Sequence, residues 1–286
     1  MANLKEIRNR ITSIGSTMQI TSAMKMVSAA KLKKAQDAIT AMRPYSNKLT
    51  ELIQSLSANL DSEVGGAFAK QRDVNKVLLV VITSNRGLCG AFNSSIIKKS
   101  IDLVQNTYAG KQVDVLAIGK KGNDLLSKEN TILANKSEIF DNLNFEAASE
   151  IADQLMELYA TEAYDKIDIV YNKFKNAATQ IITHEQFLPI IPAAGDTNSN
   201  VDYLFEPSKA EIVQGLIPKS LKTQVYKAIR DSFAAEHGAR MTAMHKATDN
   251  ATELRDALLL KYNKARQAAI TSEILEIVGG AEALNN

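Results

Sequence analysis

The stretch best shaped for chemistry is Ser84-Asn-Arg-Gly-Leu-Cys-Gly90. It follows an apolar run at 76–83 (KVLLVVIT) that reads as a buried strand, and it opens onto a helical stretch at 93–108. Glycine-rich turns between strand and helix often bind phosphate, because the first N–H groups of a helix are unpaired. This turn lacks the Gly-Lys-Ser/Thr ending of a P-loop and the three glycines of a dinucleotide fingerprint. It reads better as a tight strand-to-helix turn. Cys89 stands near the start of that helix, a place that can lower a thiol pKa. No histidine is close to it in sequence, so it makes a weak nucleophile. As the single cysteine it excludes an internal disulfide and any CxxC motif. His184, His237 and His245 show no ligand spacing, except that the last two sit eight apart on a helix. Scattered helix histidines are usually solvated, and no metal site is expected. Lys25, Lys31, Lys33 and Lys34 have no aromatic residue among them before Tyr45, which fits solvent or a protein partner better than nucleic acid. The residues therefore predict no catalytic, metal or cofactor site.

The elements around the turn alternate. Strands are expected at 76–83 and 113–118, with a third within 131–140 and two antiparallel ones at 166–174 and 179–188. Helices are expected at 93–108, after Gly119–Gly122 and at 145–164. This order predicts an α/β layer with a largely parallel, Rossmann-like sheet. The region 61–73 reads as a linker and 189–200 as a loop. Ser208 and Glu211 form a capping box for a helix that ends near Pro218.

Long helices flank this body. At the N-terminal end Leu4, Ile7, Ile11, Ile14 and Met18 follow a 3,4 spacing that resumes at Leu32, Ala35, Ile39 and Met42. That period of 3.5 is the mark of a coiled coil. Between the two runs the seam positions are Thr21, Lys25 and Ser28, and the apolar residues lie elsewhere, at Ile20, Met24, Met26 and Val27. Either the seam stutters here, or it continues while the displaced apolar ring meets something outside. At the other end, 219–278 is free of proline and rich in strong helix formers, with Gly279-Gly280 as its stop. Ala239, Ala243, Ala247 and Ala251 form a small-residue stripe. Ile270, Ile274, Ile277, Ala281 and Leu284 then restore an apolar seam that fits either a socket or the chain's own first helix. The expected fold is thus a long antiparallel coiled coil of the two terminal helices plus a central Rossmann-like α/β domain. Its segments are 1–60, 74–192 and 208–286.

Charge is uneven: residues 1–60 balance at +6, 61–207 at −6 and 208–286 at +2. Basic ends on an acidic middle suggest an acidic partner. The apolar run 77–82 is too short to span a bilayer, and no signal or transit segment precedes the first heptads. Three functions fit these observations: a rotor-like shaft, an α/β enzyme dimerised by its helices, and a basic coiled-coil nucleic-acid binder.

Four stretches resemble the gamma subunit of the F-type ATP synthase. They are Lys5-Glu-Ile-Arg8 with Ile20-Thr-Ser-Ala-Met-Lys-Met-Val27; the 83–90 turn with Asn93; Ala239-Arg-Met-Thr-Ala-Met244 with Ala247-Thr-Asp-Asn-Ala251; and Ile270-Thr-Ser-Glu273 with Glu276 and Gly280-Ala281. The family often has Asp where this chain has Asn85. No long insertion carries a regulatory cysteine pair, so the chain does not resemble the chloroplast form, and with no presequence expected it resembles the bacterial one. The resemblance implies a non-catalytic rotor, one copy per complex, turning inside a ring of three alpha and three beta subunits. Epsilon and the membrane c-ring would be its other partners. It also implies a peripheral place on the cytoplasmic side of the bacterial inner membrane, with no nucleic acid and no insertion into the bilayer. Carried over by position, Met24, Lys25, Arg240, Arg266, Gln267, Thr271, Glu273 and Glu276 would contact the stator. Met26, Val27, Ile274, Ile277 and Leu284 would form an apolar bearing.

Overall fold

The computed structural model describes residues 4–57, 68–190 and 209–284. Internal contacts divide the chain into two units, residues 29–240 and residues 1–28 with 241–286. This differs from the three sequence segments. The boundary cuts through both terminal helices because the inner part of each clusters with the sheet, that of the C-terminal one within its core.

In the larger unit, five strands stand in the order β3-β2-β1-β4-β5: β1 (Lys76–Ile82), β2 (Gln112–Ile118), β3 (Thr131–Asn135), β4 (Lys166–Phe174) and β5 (Gln180–Leu188). β1 pairs in parallel with both β2 and β4, and β2 with β3; β5 is antiparallel to β4. Val77 through Ile82 are all buried, as a central strand covered on both faces must be. Side chains alternate across a strand. Leu78, Val80 and Ile82 therefore join one core with Ile151, Leu155 and Tyr159 of α4 (Phe145–Ala160). Val77, Leu79 and Val81 join another with Ile96 and Ile97 of α2 (Phe92–Asp102). The first core also takes Ile217, Leu221, Val225 and Ile229 from the C-terminal helix, which is why that part of the helix is body and not shaft.

Several boundaries differ from expectation. The third strand stops at Asn135 and a 3₁₀ turn, Ser137–Phe140, follows. The helix expected at 93–108 is α2 followed by a π-helical turn, Leu103–Thr107. The short helix α3 (Lys120–Leu126) begins directly after Gly119. The N-terminal helix α1 (Leu4–Ser57) contains Pro44, and the C-terminal helix α5 (Lys209–Leu284) contains Pro218. Neither proline ends its helix. Each removes one backbone bond, and packing on both sides of Pro218, by Ile217 and Leu221, offsets that loss. Nor do Gly279 and Gly280 stop α5, which runs to Leu284. The expected cap residue Ser208, most of the 61–73 linker and most of the 189–200 loop lie outside the described residues.

In the smaller unit, α1 and α5 run antiparallel. Thr21 and Thr248 share a hydrogen bond of 2.8 Å, and the Thr252 hydroxyl donates to the Met18 sulfur at 3.3 Å. The seam does not stutter. Ile7, Thr21 and Ser28 are buried and Lys25 half-buried, while Ile20, Met26 and Val27 stand exposed. On α5 the seam runs through Met244, Thr248, Ala251, Arg255 and Leu258, again with 3,4 spacing. The alanine stripe drifts against it, because four residues overshoot a 3.6-residue turn by about 40°. Ala243 and Ala247 are half-buried beside the seam and only Ala251 enters it. Replacing Ala251 by Trp should therefore lower stability by about 1–3 kcal/mol through overpacking. Lys246→Trp, on the exposed side, should change it far less. Urea midpoints of the two variants decide; equal shifts would mean that the helix is rotated about its axis.

Candidate functional site

The 84–90 turn is wired from within. The Ser84 amide donates to Asn93 Oδ1 at 3.0 Å, and Asn93 Nδ2 donates to the Cys89 sulfur at 3.2 Å. Asn85 bridges outward, accepting from the Lys120 amide at 3.0 Å and donating to the Ser137 carbonyl at 2.9 Å. Gly119 lies at φ +119, and a Cβ there would run into the Thr83 carbonyl. Leu88 takes a left-handed φ of 60, costly without glycine, and the surrounding bonds hold it there.

What faces this turn is a cation. Arg240 of α5 is only 7% exposed. Its guanidinium donates to the carbonyls of Arg86 at 2.9 Å and Gly87 at 3.3 Å, and pairs with Glu236 at 2.6 Å. A phosphate site needs N–H groups aimed outward. Here the turn offers carbonyl oxygens, and a guanidinium already occupies them. Arg240, carried over above as a stator contact, has donors engaged inside the chain in this arrangement. The physical reason is desolvation. A buried guanidinium must have its N–H groups paired, and these carbonyls and Glu236 do that.

Arg240 Nη1 also approaches Nδ1 of His237 at 3.4 Å, and the His237 ring meets Phe233 edge to face, with centroids 4.5 Å apart. Burial, with repulsion from Arg240 and Lys31, pushes the His237 pKa down to about 3. Burial raises the carboxyl pKa values of Glu236 and Asp231, against the pull of Arg240 and Arg43 respectively. The unfolded chain protonates His237 near pH 6.5, while the folded chain refuses the proton until about pH 3. This residue therefore makes stability fall as the pH drops between those values. The two raised carboxyls act in the opposite sense, since their contribution fades as pH rises through their folded pKa values. His237→Gln should flatten the acid-side decline of the urea midpoint between about pH 6.5 and 4. An unchanged slope would assign the titration to another group. His245 is different: exposed, 3.4 Å from Asp249 on the same helix. Among the described residues no group of side chains could hold a metal ion.

Cys89 is buried at the turn, and burial pushes its thiol up in spite of the Ser84 hydroxyl and Arg240. Proximity to a helix start thus does not lower its pKa, because desolvation of the thiolate is the larger effect. Folded protein should react with a thiol reagent only at the rate at which it opens. Alkylation as fast as that of the urea-unfolded chain would contradict this.

One constellation has no motif in the sequence. Asp168, fully buried on β4, accepts from the Tyr108 hydroxyl, lies 2.6 Å from His184 Nε2 on β5 and 3.6 Å from Lys166 Nζ. Burial and the bond to Asp168 push the Tyr108 phenol up. The group looks like acid–base machinery, but its contacts tie β5 and the 103–108 turn to β4. The available signal was a lone Asp inside an apolar strand, which must find partners. The cavity of about 320 Å³ beside α4 is elsewhere, lined by Leu116, Leu133, Ala134 and Leu158 with Gln154, Glu157 and Thr161. Its Thr161 hydroxyl donates to the Glu157 carbonyl at 2.9 Å.

The remaining expected site residues lie on the smaller unit. Met26 and Val27 are 62% and 58% exposed, beside exposed Ile20; Met24 and Lys25 are half-buried. Arg266, Gln267, Thr271, Glu273 and Glu276 are exposed on α5, as are Ile274 and Ile277. The Leu284 side chain lies outside the described residues. Given the Thr21–Thr248 contact, Leu4 stands opposite about residue 265, so α5 beyond Ile270 has passed the start of α1. No helix among the described residues is long and apolar enough to cross a membrane.

Known proteins resemble this arrangement along the whole chain. The family model described as ATP synthase matches residues 3–284. The ATP synthase gamma chain of Flavobacterium johnsoniae is 71% identical over 286 residues, covering all of both chains. That of Cytophaga hutchinsonii is 52% identical over 296 residues, again covering both fully. Among solved structures, a chain of the Euglena gracilis mitochondrial ATP synthase shares the fold with TM-score 0.70 at 24% identity, over 98% of this chain and 94% of that one. A chain in the central stalk/c-ring structure of the Tetrahymena thermophila mitochondrial ATP synthase has TM-score 0.61 at 28% identity, over 80% and 99%. With a family model spanning nearly every residue and a relative identical at seven positions in ten, the chain belongs to the ATP synthase family as a gamma chain of the bacterial F-type enzyme, a subunit of its central stalk.

Proposed function

We propose that this gamma chain is the rotor shaft of its complex. It couples proton-driven rotation of the membrane c-ring to ATP synthesis and hydrolysis at the alpha3-beta3 ring, and performs no bond chemistry itself. The observation that carries this reading is the apolar surface left uncovered on the helix pair. Ile20, Met26 and Val27 project away from a seam that Thr21, Lys25 and Ser28 fill, and Ile270, Ile274 and Ile277 lie beyond the reach of α1. Covering one such aliphatic side chain is worth about 1.5–3 kcal/mol, so both patches favour a surrounding partner.

The two kinds of side chain suit different tasks. Met26, Val27, Ile274, Ile277 and Leu284 offer dispersion contacts with no preferred direction, which can slide past an apolar sleeve. Met24 and Lys25 stand beside that ring. Arg266, Gln267, Thr271, Glu273 and Glu276 offer directional hydrogen bonds and charges, which favour particular angles against the stator. A shaft with unlike faces biases three identical catalytic sites differently. The α/β unit and the bases of the helices meet epsilon and the c-ring, and the complex sits on the cytoplasmic side of the bacterial inner membrane.

This asymmetry works only if the shaft is unpaired. Native mass measurement of the purified ATPase should find one copy of this chain per three alpha and three beta subunits. Three copies per particle would overturn the rotor reading.

A further inference from the structure

Nine of the ten residues at 231–240 are buried, and Phe233 is half-buried. Ten residues make nearly three turns, so this stretch of α5 is enclosed on every side. Further along, residues 241–258 are buried only at the seam. A helix buried all round within one chain is normally apolar. This one carries Asp231, Ser232, Glu236, His237 and Arg240 in its enclosed stretch.

Four parts of the larger unit form the enclosure, and each contact fixes a direction. The 86–87 carbonyls of the β1 turn hold Arg240. On α1, Arg43 lies 3.5 Å from the Asp231 carboxylate and also donates to the Phe174 carbonyl at 3.3 Å. The tip of the β4–β5 hairpin presses on Gly238, where a Cβ would lie 3.2 Å from the backbone of Ala177. The Phe140 ring stacks on Phe233 at 6.2 Å, and the Leu143 carbonyl accepts from Arg230 at 3.1 Å. Apolar packing alone tolerates some turning or sliding of a helix, because its contacts re-form in the next groove. A guanidinium fork on two carbonyls and a glycine under a hairpin do not. One residue of slip carries them through about 100° and 1.5 Å, and both contacts are lost.

The polar content also has an energetic cost. Neither carboxylate oxygen of Asp231 has a hydrogen bond of good geometry among the described residues, and the same holds for Ser232 Oγ and His237 Nε2. Apolar replacements of such groups are often neutral or stabilising, whereas polar ones select a single register.

We infer that residues 231–240 are the torque grip of the rotor, the place where turning moment passes between the α/β body and α5. Arg240 and Gly238 are the positioning residues that lock the angle of the helix. This rests on the rotor reading. A buried enclosure without polar keys would serve stability; the keys serve angle.

The test uses the assembled complex with its alpha and beta subunits fixed to a surface. A probe is attached to the body through a cysteine replacing exposed Lys111. Angular fluctuation of the probe during ATP-waiting pauses reads torsional stiffness. In the double variant Glu236→Gln/Arg240→Met both partners of the ion pair go and the volume stays, which leaves no buried charge unpaired. Its fluctuation variance should rise about twofold over the parent at a matched hydrolysis rate, because directional anchors are lost while packing remains. Gly238→Ala, which lifts the hairpin without removing a charge, should raise it too and stands in if the double variant fails to assemble. Variance equal to the parent's in an assembled variant would overturn the grip and leave the rotor reading intact. Absence of rotation in the parent complex would overturn the rotor reading, and the grip with it.

Discussion

A helix of 76 residues in a chain of 286 cannot find one environment along its whole length. It needs an apolar partner for each turn, and the chain supplies three different answers. Near its start α5 lends Leu221, Val225 and Ile229 to the core of the sheet. In its middle it is enclosed. Beyond that it has only α1 on one side, and at the end nothing among the described residues. This grading from body to bare tip is the constraint from which the other features follow. Where the helix is enclosed, its charges had to be paired internally. Where it is bare, its isoleucines stand exposed.

The same constraint shapes the crevice of the Rossmann-like sheet. In open α/β sheets ligands bind beyond the carboxyl ends of the strands, where the chain reverses its winding. Here that point lies between β1 and β4, and the turn following β1 faces Arg240. The fold's usual ligand position has become an attachment point for a helix. Glycine at 119, serine at 84 and asparagine at 85 and 93 still build a tight turn, but they wire it to its own neighbours.

Much of this was legible in the sequence because it is periodic. The strand 76–83, the 3,4 spacing of Leu4 through Met18 and the antiparallel pair 166–174 and 179–188 each follow from local alternation, and the structure keeps all three. The exposed tip was legible as an apolar seam, though not whether α1 would reach it. Pro218 and Gly279-Gly280 misled as helix ends, since a local breaker costs less than the surrounding packing and helix propensity return. The alanine stripe departs from the seam for a geometric reason: a spacing of four is close to the turn of a helix but not to the seam of a coiled coil.

Sequence alone determined the main stretches of helix and strand and that two long helices pair. Those properties depend on residue types and spacings within a few turns. Only the tertiary structure decided the fate of individual polar groups. Arg240 turned inward because two carbonyls 153 and 154 residues away stood within reach. The Cys89 thiol is pushed up because burial outweighed its place near a helix start. Asp168 gathered Tyr108 and His184 across two neighbouring elements. In each case the deciding quantity is which groups are desolvated together, and this depends on contacts between residues far apart in sequence, on which no local pattern reports.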